Sequence, residues 1–252
     1  MSTALLAGPV LLLAELVALY ALGSYAMSAL GSAAASGGKG FLRKLAFYLL
    51  VAPGVIAHES AHYLAAKLTG TPVGRFVPFA PRTDASGKVT LGYVTHAARG
   101  PITAAVIGMA PVLANPFLLV VLTSLITPVD PLAGSALATP AGGGLTDSGV
   151  FEVISDMGSR AGQFATIEPV MFLVWAYLAL SLSLGAVPSR SDLAAVPAAL
   201  FLVALGSFVY AAVFGTGFLW SLSQAAVYGI SLYLLPLVVA TVAAVAGLIW
   251  RR

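Results

Sequence analysis

The sequence predicts an all-α integral membrane protein of about six transmembrane helices, with a short β-hairpin-like segment after the second. Three observations carry this. The chain is 60% hydrophobic and 8% charged, against about 25% charged residues in a soluble domain. Its mean hydropathy is +0.99. Its apolar segments are continuous runs near the twenty residues that cross a hydrocarbon core, without the alternation of a barrel strand. No internal repeat and no separate soluble domain stand out, so residues 1–252 read as one membrane-embedded domain.

The first span is expected over 4–30. Ala33-Ala34-Ala35 would suit a signal-peptide cleavage site, but no Lys or Arg precedes Lys39. The apolar run is also longer than a signal h-region, so the span reads as retained. Residues 31–40 are rich in Gly, Ser and Ala and read as a flexible external turn. The second span is expected over 41–68, with Arg43 and Lys44 anchoring one end at the headgroups. Segment 69–99 is polar and broken by Pro72, Pro78 and Pro81. Within it, 89–95 has strand propensity and Ser86-Gly87 can form the preceding turn, which predicts a hairpin near the membrane surface. The third span is expected over 100–127. Segment 128–167 carries Gly142-Gly143-Gly144 and several acidic residues, with a short surface helix expected over 151–164. The remaining spans are expected over 168–187, 192–213 and 226–250.

Charge asymmetry orients the chain. With both termini cytoplasmic, Lys67, Arg75, Arg82, Lys88, Arg99, Arg190, Arg251 and Arg252 fall inside, and Lys39, Arg43, Lys44 and Arg160 outside. The net charge of +3 belongs to this topology and gives no footprint for nucleic acid. With no cysteine in the chain, disulfides and thiolate ligands are excluded.

The chemistry-bearing pattern is His58-Glu59-Ser60-Ala61-His62, inside the second span and holding two of the three His in the chain. Residues four apart share a helix face, so the two imidazoles can grip one Zn²⁺. Glu59 is the general base beside them. Ionisable residues within a span are costly, which marks the cluster as functional. Two His do not complete a catalytic site; the third ligand must be a carboxylate or another imidazole. His62 lies six residues before the expected span end, roughly 9 Å deep at about 1.5 Å per residue. Asp130, Asp147, Glu152, Asp156 and Glu168 fall at the opposite side, and Glu15 nearer mid-membrane. Asp192 follows the break Ala186-Val187-Pro188-Ser189-Arg190-Ser191 and is the best candidate. It can also serve as the cap of the fifth span, and the two roles are compatible.

Taken together, the chain resembles the site-2 protease family of intramembrane zinc metalloproteases. The resemblance rests on His58-Glu59-Ser60-Ala61-His62, on Gly108-Met109-Ala110-Pro111-Val112-Leu113-Ala114-Asn115 in the next span, and on Pro188-Ser189-Arg190-Ser191-Asp192. It covers about 41–213 and implies a minimal form without a PDZ or other soluble domain. It also implies a zinc endopeptidase that cuts in or near the transmembrane segments of membrane-protein substrates. Zn²⁺ is then held by His58, His62 and Asp192, with Glu59 catalytic and the active site toward the cytoplasmic side of the cell membrane. Asn115 would bind the substrate backbone, or else make a helix–helix hydrogen bond next to Pro116. An extended substrate would pair with the strand-like 89–95 edge. His96 and Glu15 are lesser candidates for the site, and Trp175, Trp220 and Trp250 read as packing residues. Three other readings stay open: a heat-shock-type membrane metalloprotease with Glu152 as third ligand, a non-hydrolytic metal-binding membrane protein or transporter, and a proteolytically dead relative acting as a membrane chaperone or scaffold, which the intact His-Glu-x-x-His pattern argues against.

Overall fold

The computed structural model describes residues 4–35, 40–83, 89–97, 100–128, 147–194, 196–215, 236, 238–243 and 245–246. It is mostly helical. Helix α1 spans Ala4–Ala35 and α2 spans Gly40–Leu68. Four short strands follow: β1 Val73–Val77, β2 Arg82–Thr83, β3 Val89–Thr90 and β4 Tyr93–His96. Then come α3 Pro101–Ile126, α4 Asp147–Ile167, α5 Pro169–Gly185, α6 Arg190–Leu193 and α7 Val196–Phe214. Among the described residues, four segments are long and apolar enough to cross a membrane: Leu13–Ser32, Phe41–Leu68, Pro101–Ile126 and Ser191–Phe214. Helix α5 is apolar but shorter, at 17 residues. The sixth span expected over 226–250 lies largely outside the described residues. Of it, Ala240 packs with Leu19 and Val112, and Ala243 with the α1–α2 cluster.

Helix α2 is the hub, packed against α1, α3 and α5. In lipid, close packing of small residues holds helices together in place of the hydrophobic effect. Ala26 and Ala34 of α1 accordingly meet Phe47, Val51 and Val55 of α2. Gly54 and Gly185 bring α2 and α5 closer still: a Cβ on Gly54 would strike the Ser181 carbonyl, and one on Gly185 the Gly54 carbonyl. Pro53 inside α2 has no N–H for the Leu49 carbonyl one turn back. The Tyr177 hydroxyl of α5 donates to that carbonyl at 2.8 Å. The interruption in one helix thus becomes a tie to another.

The elements depart from expectation in four places. Helix α1 continues to Ala35, so the expected turn over 31–40 is helical in its first half; residues 36–39 lie outside the described residues. Helix α4 is longer than the surface helix expected over 151–164, and its Phe164 is fully buried. That ring packs edge-on against Phe172 and Trp175, and the Trp175 Nε1–H donates to Thr123 Oγ1 at 3.0 Å. The fifth span begins in a separate four-residue helix, α6.

The hairpin also differs. Its expected continuous strand over 89–95 is split at Leu91-Gly92. The outer part pairs β2 with β3 (Arg82 opposite Thr90), and the inner part pairs β1 with β4 antiparallel (Val77 opposite Tyr93, Phe76 opposite Val94, Val73 opposite His96). The Ala80 N–H, donating to the Leu91 carbonyl at 2.7 Å, carries the pairing across the split. The expected turn at Ser86-Gly87 lies outside the described residues. The chain enters β1 through a helix stop: Gly70 takes φ of 65°, and the Thr71 N–H donates back to the Ala66 carbonyl at 2.8 Å.

Candidate metal centre

His58, Glu59 and His62 come from the last third of α2, and Asp192 from α6. Chain geometry explains why Asp192 is there. Proline disfavours helix at the residue before it, so α5 ends at Gly185 and Pro188 holds the chain extended. Ser189 then caps α6. Its N–H donates to Asp192 Oδ2 at 2.6 Å, and the Asp192 N–H donates back to Ser189 Oγ at 3.3 Å. Ser189 is thus the N-cap, and Asp192 is the third helical residue of a capping box rather than the cap itself. The box locks the carboxylate toward α2. Capping and facing the His pair do coexist.

The three side chains converge. His62 Nε2 lies 3.2 Å from Asp192 Oδ1. His58 Nε2 lies 3.5 Å from Asp192 Oδ2 and 3.2 Å from His62 Nε2. The side chains of His58, His62 and Asp192 are 12%, 11% and 6% exposed, so bulk water does not screen the cluster. At the far side of each ring, Nδ1 meets a backbone carbonyl: His58 Nδ1 with Gly185 at 2.7 Å, and His62 Nδ1 with Ile107 at 2.8 Å. A carbonyl only accepts, so each Nδ1 donates to its carbonyl and each ring turns its Nε2 inward, toward the other ring and Asp192. Gly185 closes α5, where helix carbonyls lack intrahelical partners.

Two ring nitrogens and a carboxylate facing one another at these separations call for a positive charge between them, either a proton on a ring nitrogen or a metal cation. Ligand bonds of about 2.0–2.1 Å in a tetrahedron place neighbouring donor atoms about 3.3 Å apart. The two ring nitrogens, 3.2 Å apart, match; Asp192 offers Oδ1 to His62 at 3.2 Å and its other oxygen, Oδ2, to His58 at 3.5 Å. The donor set therefore fits a metal ion; two imidazoles and a carboxylate, with no thiolate, suit zinc among several divalent ions.

The cluster opens on a cavity of about 350 Å³ that Glu59, His62 and Asp192 share with Gly92, Tyr93, Val94 and His96 of the hairpin and with Ala104 and Gly108 of α3. Gly92 is pressed onto Glu59: a Cβ there would lie 2.9 Å from Glu59 Cγ and 2.7 Å from the Pro78 carbonyl. Only glycine lets the hairpin close over Glu59. This also explains the split strand. Burial and the nearby His62 imidazole hold His96 below the ordinary histidine range, with the Asp192 carboxylate acting the other way.

Asn115 is fully buried but does not line this cavity. Its Nδ2 donates to the Gly54 carbonyl at 3.1 Å and the Leu182 carbonyl at 3.3 Å, stitching α3 to α2 and α5. The helix–helix alternative is the geometry observed, and the substrate role has no contact here to support it. Glu15 is buried, with neither carboxylate oxygen hydrogen-bonded among the described residues, and it does not line the cavity either. The Glu152 side chain lies outside what is described. Sequence reasoning missed Gly92, Gly54, Gly185 and the two carbonyl acceptors. The one legible signal was the glycines themselves, inside otherwise regular segments. Comparison with protein-family models, curated proteins and solved structures finds no match to this chain.

Proposed function

We propose that the protein is an intramembrane zinc metalloendopeptidase, a minimal form of the site-2 protease type, hydrolysing peptide bonds in or near transmembrane segments of membrane proteins. The observation that carries this reading is the convergence of His58, His62 and Asp192, of which His62 and Asp192 line, with Glu59 from the same helical turn, one cavity beneath the inner half of the hairpin. In this reading the chain spans a cell membrane six times, with the cavity end toward the cytoplasm.

A bound Zn²⁺ would polarise the scissile carbonyl and lower the pKa of the attacking water. The Glu59 carboxylate takes the proton of that water and returns it to the departing amide nitrogen. His58 and His62 keep their Nδ1 protons on the Gly185 and Ile107 carbonyls, so their ring orientations are held through the reaction. A substrate helix hides its scissile carbonyl in intrahelical bonds and must unwind to react. Unwinding in a dry site strands backbone donors and acceptors. Among the described residues strand β4 pairs with β1 on one edge only, and its Tyr93, Val94 and His96 border the cavity. An extended substrate pairing along 93–96 recovers those backbone bonds.

The test is Glu59→Gln with a purified model transmembrane substrate. Metal content should be unchanged, and cleavage should fall by about 10²–10⁴-fold, the usual worth of a positioned base. Undiminished cleavage by the variant refutes the hydrolytic role. A parent that cuts nothing but moves metal across vesicle membranes supports the transporter reading instead.

A further inference from the structure

The acceptor that orients His62 sits in the middle of a helix. Ile107 is in the second turn of α3, and a mid-helix carbonyl normally belongs to the N–H four residues on. Here that residue is Pro111, which has no N–H. Its ring also crowds the carbonyl one turn back and tilts it away from the helix axis. Pro111 and Ile107 are both fully buried, and the carbonyl thus released meets His62 Nδ1 at 2.8 Å.

We propose that Pro111 is a positioning residue of the metal centre: by withholding an N–H, it frees the Ile107 carbonyl to fix the tautomer and orientation of His62. The inference rests on the metal-centre reading and not on the peptidase reading. Any residue with an N–H at 111 places a second donor on that carbonyl and lets the turn close. His62 then loses a clean acceptor, its Nε2 lone pair is less well aimed, and its basicity falls. Residue 111 touches neither metal nor substrate in this account and acts only through Ile107 and His62.

The experiment uses the full chain in lipid nanodiscs, with Zn²⁺ alone titrated against a chelator and Co²⁺ as a spectroscopic probe. Pro111→Ala should weaken Zn²⁺ binding by roughly 10–100-fold, the usual effect of losing an outer-shell partner, and should shift the Co²⁺ d–d bands. Pro116→Ala, a turn further along α3, removes a comparable kink and should leave both readouts at parent values. The inference is overturned if Pro111→Ala matches the parent, or if Pro116→Ala weakens binding equally. A direct measurement on the zinc-loaded parent covers the case in which Pro111→Ala does not fold. Its ¹⁵N-histidine resonances should identify Nε2 of His62 as the liganding nitrogen, with Nδ1 protonated; ligation through Nδ1 overturns the inference outright. A parent that binds no metal removes the metal-centre reading as well, whereas a tight parent with an equally tight variant removes this inference alone.

Discussion

At the scale of single residues, each ligand is held twice, once toward the cavity and once behind. His58 and His62 are backed by carbonyls, and Asp192 by the Ser189 cap. The backing turns three flexible side chains into a convergent donor set that could hold an ion. Removing Asp192 should therefore do more than remove an outer partner. Asp192→Ala is expected to weaken metal binding by well over the roughly 10–100-fold seen for outer-shell losses, while Glu152→Ala leaves it unchanged. Metal analysis of the two purified variants checks this, and the opposite ranking would favour the Glu152 alternative. Of the candidate residues, the His pair and Glu59 were legible because helical spacing alone puts two imidazoles on one face. Asn115 was ambiguous because an amide next to a proline serves a backbone carbonyl or a substrate equally well on paper. Its two carbonyl partners, on α2 and α5, are far away in sequence.

At the scale of elements, the hairpin and the α2–α5 contact decide the shape of the cavity. The hairpin covers Glu59 through Gly92, where any side chain would collide with Glu59 or with the Pro78 carbonyl. Gly92→Ala should lift the inner hairpin and displace Glu59. Displacements of about 1 Å cost up to about 100-fold in rate, so cleavage should fall on that order while bound zinc stays at parent level. A joint measurement of turnover and metal content distinguishes this from general unfolding. Helix positions were legible from apolar runs, and α2 and α3 lie within a residue or two of expectation. The strand boundaries were not. Strand propensity over 89–95 is a local property, whereas the split at Leu91-Gly92 arises where the hairpin meets a helix formed some thirty residues earlier.

At the scale of the whole molecule, the charge asymmetry of the sequence predicts an orientation in the membrane. The hairpin and α4 lie at opposite ends of α3, so they face opposite sides if α3 spans the bilayer. The chain lacks cysteine, so a single introduced thiol reports its own side. Arg82→Cys should react with a membrane-impermeant maleimide only after the cells are opened, and Ser159→Cys in intact cells; the reverse pattern inverts the topology. The sequence by itself determined the membrane class, the long helices and the helical face that carries two imidazoles with Glu59 beside them, because each depends on composition or on spacing within one segment. Only the tertiary structure decided that Asp192 closes the set, that the Ile107 and Gly185 carbonyls aim the two rings, and that Gly92 seats the hairpin on Glu59. Those are contacts between segments far apart in the chain, and their geometry exists only once the helices have packed.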